Sequence, residues 1–273
     1  MNYRHAYHAG NHTEVFKHAA LVLLLEHLRQ KPKPFVVLDT HAGLGLYDLK
    51  SVEAGKTGEA ADGVGAVLAR PPEGLAAYVA AVQPYVERGL YPGSPAIVAD
   101  RLRDGDRLAA CELHPEDALV LRANFRRDRR VAVHHRDGYE ALPALIPPPE
   151  RRGLVFLDPP YEARDEAERL GRALVAAVGK WPTGIYAAWY PIKDETIGRT
   201  IAAALGAAGI AGCLRAEFLR HPIDGERLAG SGMLFVNPPW RLDEGLGQVM
   251  DGLARAFPSP AARGRVGWLT TRE

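Results

Sequence analysis

Asp158-Pro159-Pro160-Tyr161 follows an apolar run, Leu154-Val-Phe-Leu157. The run reads as a buried strand, and two successive prolines cannot continue a sheet, so the strand must stop there. In an open α/β sheet, ligands bind beyond the carboxyl ends of the strands, which would aim Asp158 into a crevice. The chemistry that suits this quartet is work on an exocyclic amine. An amine such as adenine N6 is a poor nucleophile, because its lone pair is delocalised into the ring. A carboxylate accepting one N–H and a backbone carbonyl accepting the other favour a more pyramidal nitrogen. Tyr161 can stack on the base, a contact worth about 1–3 kcal/mol. The purely structural alternative is a strand-ending turn in which Asp158 caps the next helix.

A second quartet of the same form, Asn237-Pro238-Pro239-Trp240, follows Met233-Leu-Phe-Val236. Position decides between them. A nucleotide loop, a ribose-binding acid and an adenine-contacting acid should precede the catalytic strand, and Asp39, Glu112, Asp137 and Asp158 make that series in order. Asn237 comes later and is expected near the sheet edge. Asp39-Thr-His41-Ala-Gly43-Leu-Gly45 is the candidate cofactor loop, its glycines allowing the backbone close to a ligand. It is not the Gly-x-Gly-x-x-Gly of dinucleotide enzymes. Glu112 can accept from both ribose hydroxyls, and Asp137-Gly138 can accept from an adenine amino group. Each alone reads equally as a surface acid or an Asp-Gly turn; their case is that they end successive strands. Ser94 is expected as an N-cap with Pro95 at the first helical position, and such a helix start offers N–H groups to a carboxylate.

Four histidines, His5, His8, His12 and His18, lie near the N-terminus. Their spacing matches no zinc pattern, so no metal is expected. Lys17 and His18 share a helix that could cover the cofactor's carboxylate end. Tyr3 and Arg4 precede that helix and are candidates for touching substrate. The five arginines between Arg122 and Arg130 read as a solvated helix end and are not assigned to nucleic acid.

Strands and helices must alternate to position these side chains. Apolar runs at 35–39, 108–111, 131–134, 154–157, 185–189, 214–218 and 233–236 predict seven strands. Helical patterns fall between most of them, for example at 115–125, 166–178 and 195–205. That alternation predicts βαβ units and a mostly parallel sheet with helices on both faces. A helix is predicted from Val15 to Arg29, started by a capping-box-like Asn11 and Glu14 and closed by Lys31-Pro32. The rhythm breaks once: Asp39 and Glu112 are 73 residues apart (112 − 39), where a nucleotide-binding unit needs about 20. Helical patterns near 58–68 and 75–86 predict a helical insertion over 49–90 within a single domain spanning 1–273.

The chain has 273 residues, 47% hydrophobic and 25% charged, with a net charge of +1 from 34 basic and 33 acidic side chains. A polybasic nucleic-acid coat is excluded, so any RNA contact must use local patches. The two cysteines, Cys111 and Cys213, allow neither a disulfide framework nor a four-cysteine zinc site. No apolar run approaches the roughly 20 residues that span a bilayer, Ala19 to Leu25 included. The polar, histidine-rich start does not read as a secretory signal, and a cytoplasmic location and a monomer are expected.

These residues resemble one family. Tyr3-Arg-His-x-x-His-Ala-Gly-Asn-His, Val15-x-Lys-His18, Asp39-Thr-His-Ala-Gly, Tyr91-Pro-Gly-Ser-Pro, Glu112-Leu-His-Pro, Asp158-Pro-Pro-Tyr-Glu, Gly184-Ile-Tyr-Ala, Trp189-Tyr-Pro and Asn237-Pro-Pro-Trp look like the bacterial ribosomal RNA large subunit methyltransferase J family. The likeness runs from Tyr3 to near Trp268. The opening segment and the Asp-Thr-His-Ala-Gly loop are specific to it, whereas Asp-Pro-Pro-Tyr is shared by many amino methyltransferases. Departures are small: Thr13 and Glu14 in the opening motif, Leu44 and Leu46 in the loop. The resemblance implies a class I, Rossmann-like methyltransferase fold and S-adenosylmethionine-dependent N6-methylation of one adenine in 23S ribosomal RNA, the position called adenine 2030. It implies cofactor contacts at His18, His41, Ser94, Glu112, Asp137, Gly138 and Asp158. Asp158 would be the proton acceptor and Tyr3 a substrate-side residue. The alternatives are a DNA adenine methyltransferase, for which no DNA-recognition domain is visible, and a non-catalytic, cofactor-binding nucleic-acid chaperone.

Overall fold

A computed structural model of the chain describes residues 9–51 and 58–270. Along them run α1 (His12–Arg29), β1 (Val36–Asp39), β2 (Leu46–Asp48), α2 (Ala66–Ala69), α3 (Ala76–Val86), β3 (Leu90–Pro92), α4 (Ser94–Ala99), β4 (Arg107–Glu112), α5 (Pro115–Phe125) and β5 (Val131–His135). Then follow α6 (Gly138–Leu145), β6 (Gly153–Leu157), α7 (Glu166–Lys180), β7 (Ile185–Ile192), α8 (Thr196–Ala207), β8 (Cys213–Leu219), β9 (Gly230–Val236), α9 (Leu242–Ala256) and β10 (Arg263–Thr270).

Successive strand residues point to opposite faces, and here both faces are covered. Val37, Leu154 and Phe156 join one buried cluster with α1, α4 and α9. Their neighbours Leu38, Val155 and Leu157 join another with α6, α7 and α8. This explains the solid apolar runs. In α7, Leu170, Leu174 and Ala177 recur at helical spacing and are buried, while Glu168 and Arg172 face solvent. Helix α1 is buried on nearly all sides, because the segment after β2 packs over the face that the sheet leaves open.

Among the described residues the main sheet has eight strands, in the order β10-β8-β9-β7-β6-β1-β4-β5. The class is the expected α/β one, with one strand more than the seven predicted. The extra strand, β10, is an edge strand antiparallel to β8. Its mostly exposed, polar-interrupted sequence carries no solid apolar run. Strands β7, β6, β1, β4 and β5 are mutually parallel, while β9 runs antiparallel to both β7 and β8. Strand β9 is therefore internal, not near the edge as expected for Asn237. The 49–90 segment holds α2, α3 and a 3-10 turn at Glu73–Leu75, and the β2–β3 ribbon closes its base.

Two helix starts differ from expectation. Gly93, not Ser94, precedes the first turn of α4, and Ser94 is its first residue. At α1 the Asn11 side chain accepts from the Thr13 and Glu14 amides as expected of an N-cap. The reciprocal half of a capping box is replaced: Glu14 turns inward to Lys17.

Candidate active site

The parallel order β6-β1-β4-β5 sets four carboxylates side by side at one end of the sheet. Asp158, Asp39, Glu112 and Asp137 each stand at or just beyond the carboxyl end of one of these strands. Asp158, Glu112 and Asp137 border a cavity of about 420 Å³, lined also by His18, His41, Gly43, Ser94, Gly138 and Tyr161, while Asp39 is fully buried behind Ser94. Every predicted site residue within the described segments is thus at one cavity. Tyr3 lies outside them.

The loop after β1 is shaped by glycine. Gly43 has φ +59°, and a Cβ there would stand 2.2 Å from the Tyr47 hydroxyl, so only glycine fits. Its amide donates to Glu112 Oε2 at 2.8 Å, while the His114 amide donates to Oε1 at 2.7 Å. Glu112 thus clamps two strand-end loops, and each oxygen keeps a second lone pair for a hydroxyl. Asp137 caps α6 through the Tyr139 amide and meets Arg169 at 2.7 Å. Burial opposes its ionisation, but the Arg169 guanidinium and the backbone donor hold it below the usual carboxylate range. Gly138 is needed for packing, since a Cβ would lie 2.1 Å from the Thr40 carbonyl oxygen.

His41 is half-buried, and desolvation lowers it to about 4, so it is neutral. The Thr40 hydroxyl donates to the Phe156 carbonyl at 3.1 Å and lies 2.7 Å from His41 Nδ1. A hydroxyl has one proton, so Nδ1 is assigned as the N–H and Nε2 as the acceptor. Ser94 donates to Asp39 at 2.6 Å. Burial raises Asp39 to about 7, against the lowering effect of that hydrogen bond. His18 Nδ1 lies 2.9 Å from the Tyr91 hydroxyl.

Asp158 is held by an ion pair with Lys17, whose ammonium also meets Glu14 and lies 5.2 Å from the Trp189 ring centroid. Burial alone would lower Lys17, yet the two carboxylates keep its ammonium above the ordinary lysine value. Tyr161 has φ +53°, a region that costs a bulky residue energy. Its hydroxyl donates to the Trp189 carbonyl at 2.9 Å and its ring meets Trp189 edge-to-face at 5.9 Å. The ring is therefore fixed as a wall of the cavity beside Asp158. Sequence reasoning missed this brace. Glu14, Lys17 and His18 have i, i+3, i+4 spacing, which puts them on one helix face; that was the available signal.

Asn237 is elsewhere. Because β9 is antiparallel to β7, its carboxyl end pairs with the start of β7, at the opposite end of the sheet. There the Asn237 amide donates to the carbonyls of Pro182 and Gly184 at 2.7 and 3.0 Å.

The family model described as "Ribosomal RNA large subunit methyltransferase D, RlmJ" matches residues 32–270. The chain belongs to this family. Ribosomal RNA large subunit methyltransferase J of Haemophilus influenzae is 39% identical over 99% of this chain and 99% of its own. That of Escherichia coli is 38% identical over 98% and 99%. The crystal structure of a Legionella pneumophila protein, 32% identical, superposes with a TM-score of 0.88 over 96% of this chain and 98% of that one. This RlmJ-family chain is thus a ribosomal RNA methyltransferase whose cofactor is S-adenosylmethionine. The cavity fits that group on its own terms. Its volume lies within the usual range of roughly 300–1,000 Å³ for a small-molecule site, its glycine loop leaves backbone room, and Glu112 and His41 Nε2 supply acceptors for nucleoside donors. No helix of the described residues is long and apolar enough to cross a membrane.

Proposed function

We propose that this RlmJ-family enzyme methylates N6 of a single adenine in 23S ribosomal RNA, the position called adenine 2030. The observation that carries the reading is the placement of Asp158 at the end of β6, braced by Lys17 and walled by Tyr161. Glu112 would hold the ribose of S-adenosylmethionine and Asp137 its adenine amino group, with His18, His41, Ser94 and Gly138 around it. When bound, S-adenosylmethionine supplies a methyl made electrophilic by its sulfonium. The chain's own work is positioning. The target base leaves its stack to enter the cavity. The Asp158 carboxylate accepts one N6–H and the Pro159 carbonyl the other, which aims the nitrogen lone pair. Tyr161 supports the ring, and its hydroxyl stays on Trp189. The proton shed by N6 passes to Asp158 or to water. Tyr3 belongs on the substrate side.

The test is tritiated methyl transfer from S-adenosylmethionine to naked 23S ribosomal RNA, assembled subunits and DNA, with nucleoside analysis of the product. N6-methyladenosine in RNA is expected. Labelled DNA in preference to RNA, or no transfer at all, would overturn the reading.

A further inference from the structure

Among the described residues, three cations other than histidine line the cavity: Lys17, Arg169 and Lys193. The first is held by Glu14 and Asp158, and the second by Asp137. Lys193 is exposed and has no hydrogen-bond or ion-pair partner among the described residues. Its acidic neighbours do not claim it: Asp194 accepts from the Thr196 amide at 2.6 Å, and Glu195 lies 3.8 Å from Arg199.

Its place on the rim matters more than its charge. Lys193 follows β7 directly, one residue past Ile192, whose carbonyl accepts from the Ala229 amide at 2.8 Å. Lys193 and Leu228 therefore emerge together beside Trp189 and Pro191, which wall the side of the cavity next to Tyr161. The facing lip carries Glu112 and Asp117, with Asp137 paired to Arg169. A polyanion meeting this mouth is repelled from the acidic lip and drawn to the β7 lip. A base entering past Tyr161 brings its backbone phosphates to the rim, where a flexible ammonium is a suitable contact.

We propose that Lys193 is a substrate-positioning residue, which binds a backbone phosphate of the RNA next to the extruded adenosine. The proposal rests on the RNA-methyltransferase reading above and adds the group that grips the strand. Phosphate contacts are electrostatic and salt-dependent, and each contact to a single strand contributes about −0.7 to the slope of log affinity on log salt.

The experiment measures binding of a fluorescent 23S ribosomal RNA transcript over a salt series, together with kcat, KM and calorimetric S-adenosylmethionine affinity. Lys193→Ala is expected to weaken RNA binding about three- to tenfold at low salt and to flatten the slope by about 0.7. Lys193→Glu should weaken it further, and Lys193→Arg should restore most of it. The effect falls on KM rather than on kcat or cofactor affinity. Lys33→Ala, an equal charge change before β1 at the opposite end of the sheet, controls for net charge. Wild-type RNA affinity and slope in Lys193→Ala and Lys193→Glu would overturn the proposal, as would an equal loss in Lys33→Ala. Direct binding keeps the two readings apart: a wild type that binds RNA but makes no N6-methyladenosine sinks the proposed reaction, while the Lys193 comparison still stands or fails by itself.

Discussion

The ammonium of Lys17 bridges the Asp158 carboxylate, 141 positions away in the chain, and the Glu14 carboxylate on its own helix. All three side chains are almost completely buried. A buried cation between two carboxylates holds the geometry only while all three are present. Removing one partner of a buried pair typically costs about 3–5 kcal/mol.

Lys17→Met would leave Glu14 and Asp158 facing each other without a counter-charge. Like charges disfavour joint ionisation, so the carboxylate pair should take up protons at higher pH. The expected result is a methylation rate at least about tenfold lower at neutral pH, with the acid limb of the rate profile moved to higher pH. Lys17→Arg should retain part of the activity. A Lys17→Met enzyme with the wild-type rate and pH profile would show the ion pair to be dispensable.

The cofactor assignment is open to calorimetry. Glu112 holds two loop amides, and Asp137 holds the Tyr139 amide and Arg169. Hydrogen bonds to a charged group are worth about 1.5–3 kcal/mol, so Glu112→Ala and Asp137→Ala should each weaken S-adenosylmethionine binding about tenfold or more. Unchanged affinity in both variants would remove the nucleoside from this end of the sheet.

A pH effect on stability follows from Asp39. Burial raises it from 3.8 to about 7, so between those values the folded state holds a proton that the unfolded state has released. Folding stability from this group is therefore fully present below about pH 4 and is lost as pH rises toward 7. Asp39→Asn keeps an acceptor for Ser94 and cannot ionise. The melting temperature of the variant minus that of the wild type should rise from pH 4 to 7 and level off above. A flat difference would show that Asp39 titrates alike in the folded and unfolded states.

The strand ends were legible in the sequence because the runs at 35–39, 108–111 and 154–157 end at or just before an acid, with Asp137 three residues past the run at 131–134, and a parallel sheet aligns those ends. Glu112 and Asp137 could not be told from surface acids one at a time; the strand order beside β1 brings them to the same cavity as Asp158. Strand β10 was not legible, since an edge strand with Arg263, Arg265 and Gly264 shows no buried run. Nor was the Lys17 brace, which depends on α1 crossing the end of β6, a contact between segments far apart in the chain. Ser94 was misplaced by one residue because its hydroxyl serves Asp39 rather than the helix start.

The two proline-proline quartets provide the sharpest test of the proposed chemistry. Asp158 and Asn237 both follow buried strands and both precede Pro-Pro and an aromatic residue. Each quartet has one left-handed residue, but at opposite ends: Tyr161 at the last position, φ +53°, and Asn237 at the first, φ +52°. Strand direction separates them. Strand β6 is parallel to β1 and delivers Asp158 to the cavity, whereas β9 is antiparallel to β7 and delivers Asn237 to the far end, where it binds two loop carbonyls. Asp158→Ala should abolish methyl transfer, with a smaller loss of S-adenosylmethionine affinity. Asn237→Ala removes two neutral hydrogen bonds, each worth about 1 kcal/mol, and should lower the melting temperature by a few degrees while the rate per folded molecule stays near wild type. Trp240 is 85% exposed, so that end of the sheet offers no cavity wall like the one Tyr161 forms. Methylation that survives Asp158→Ala and fails in a folded Asn237→Ala would place the chemistry at the other end of the sheet.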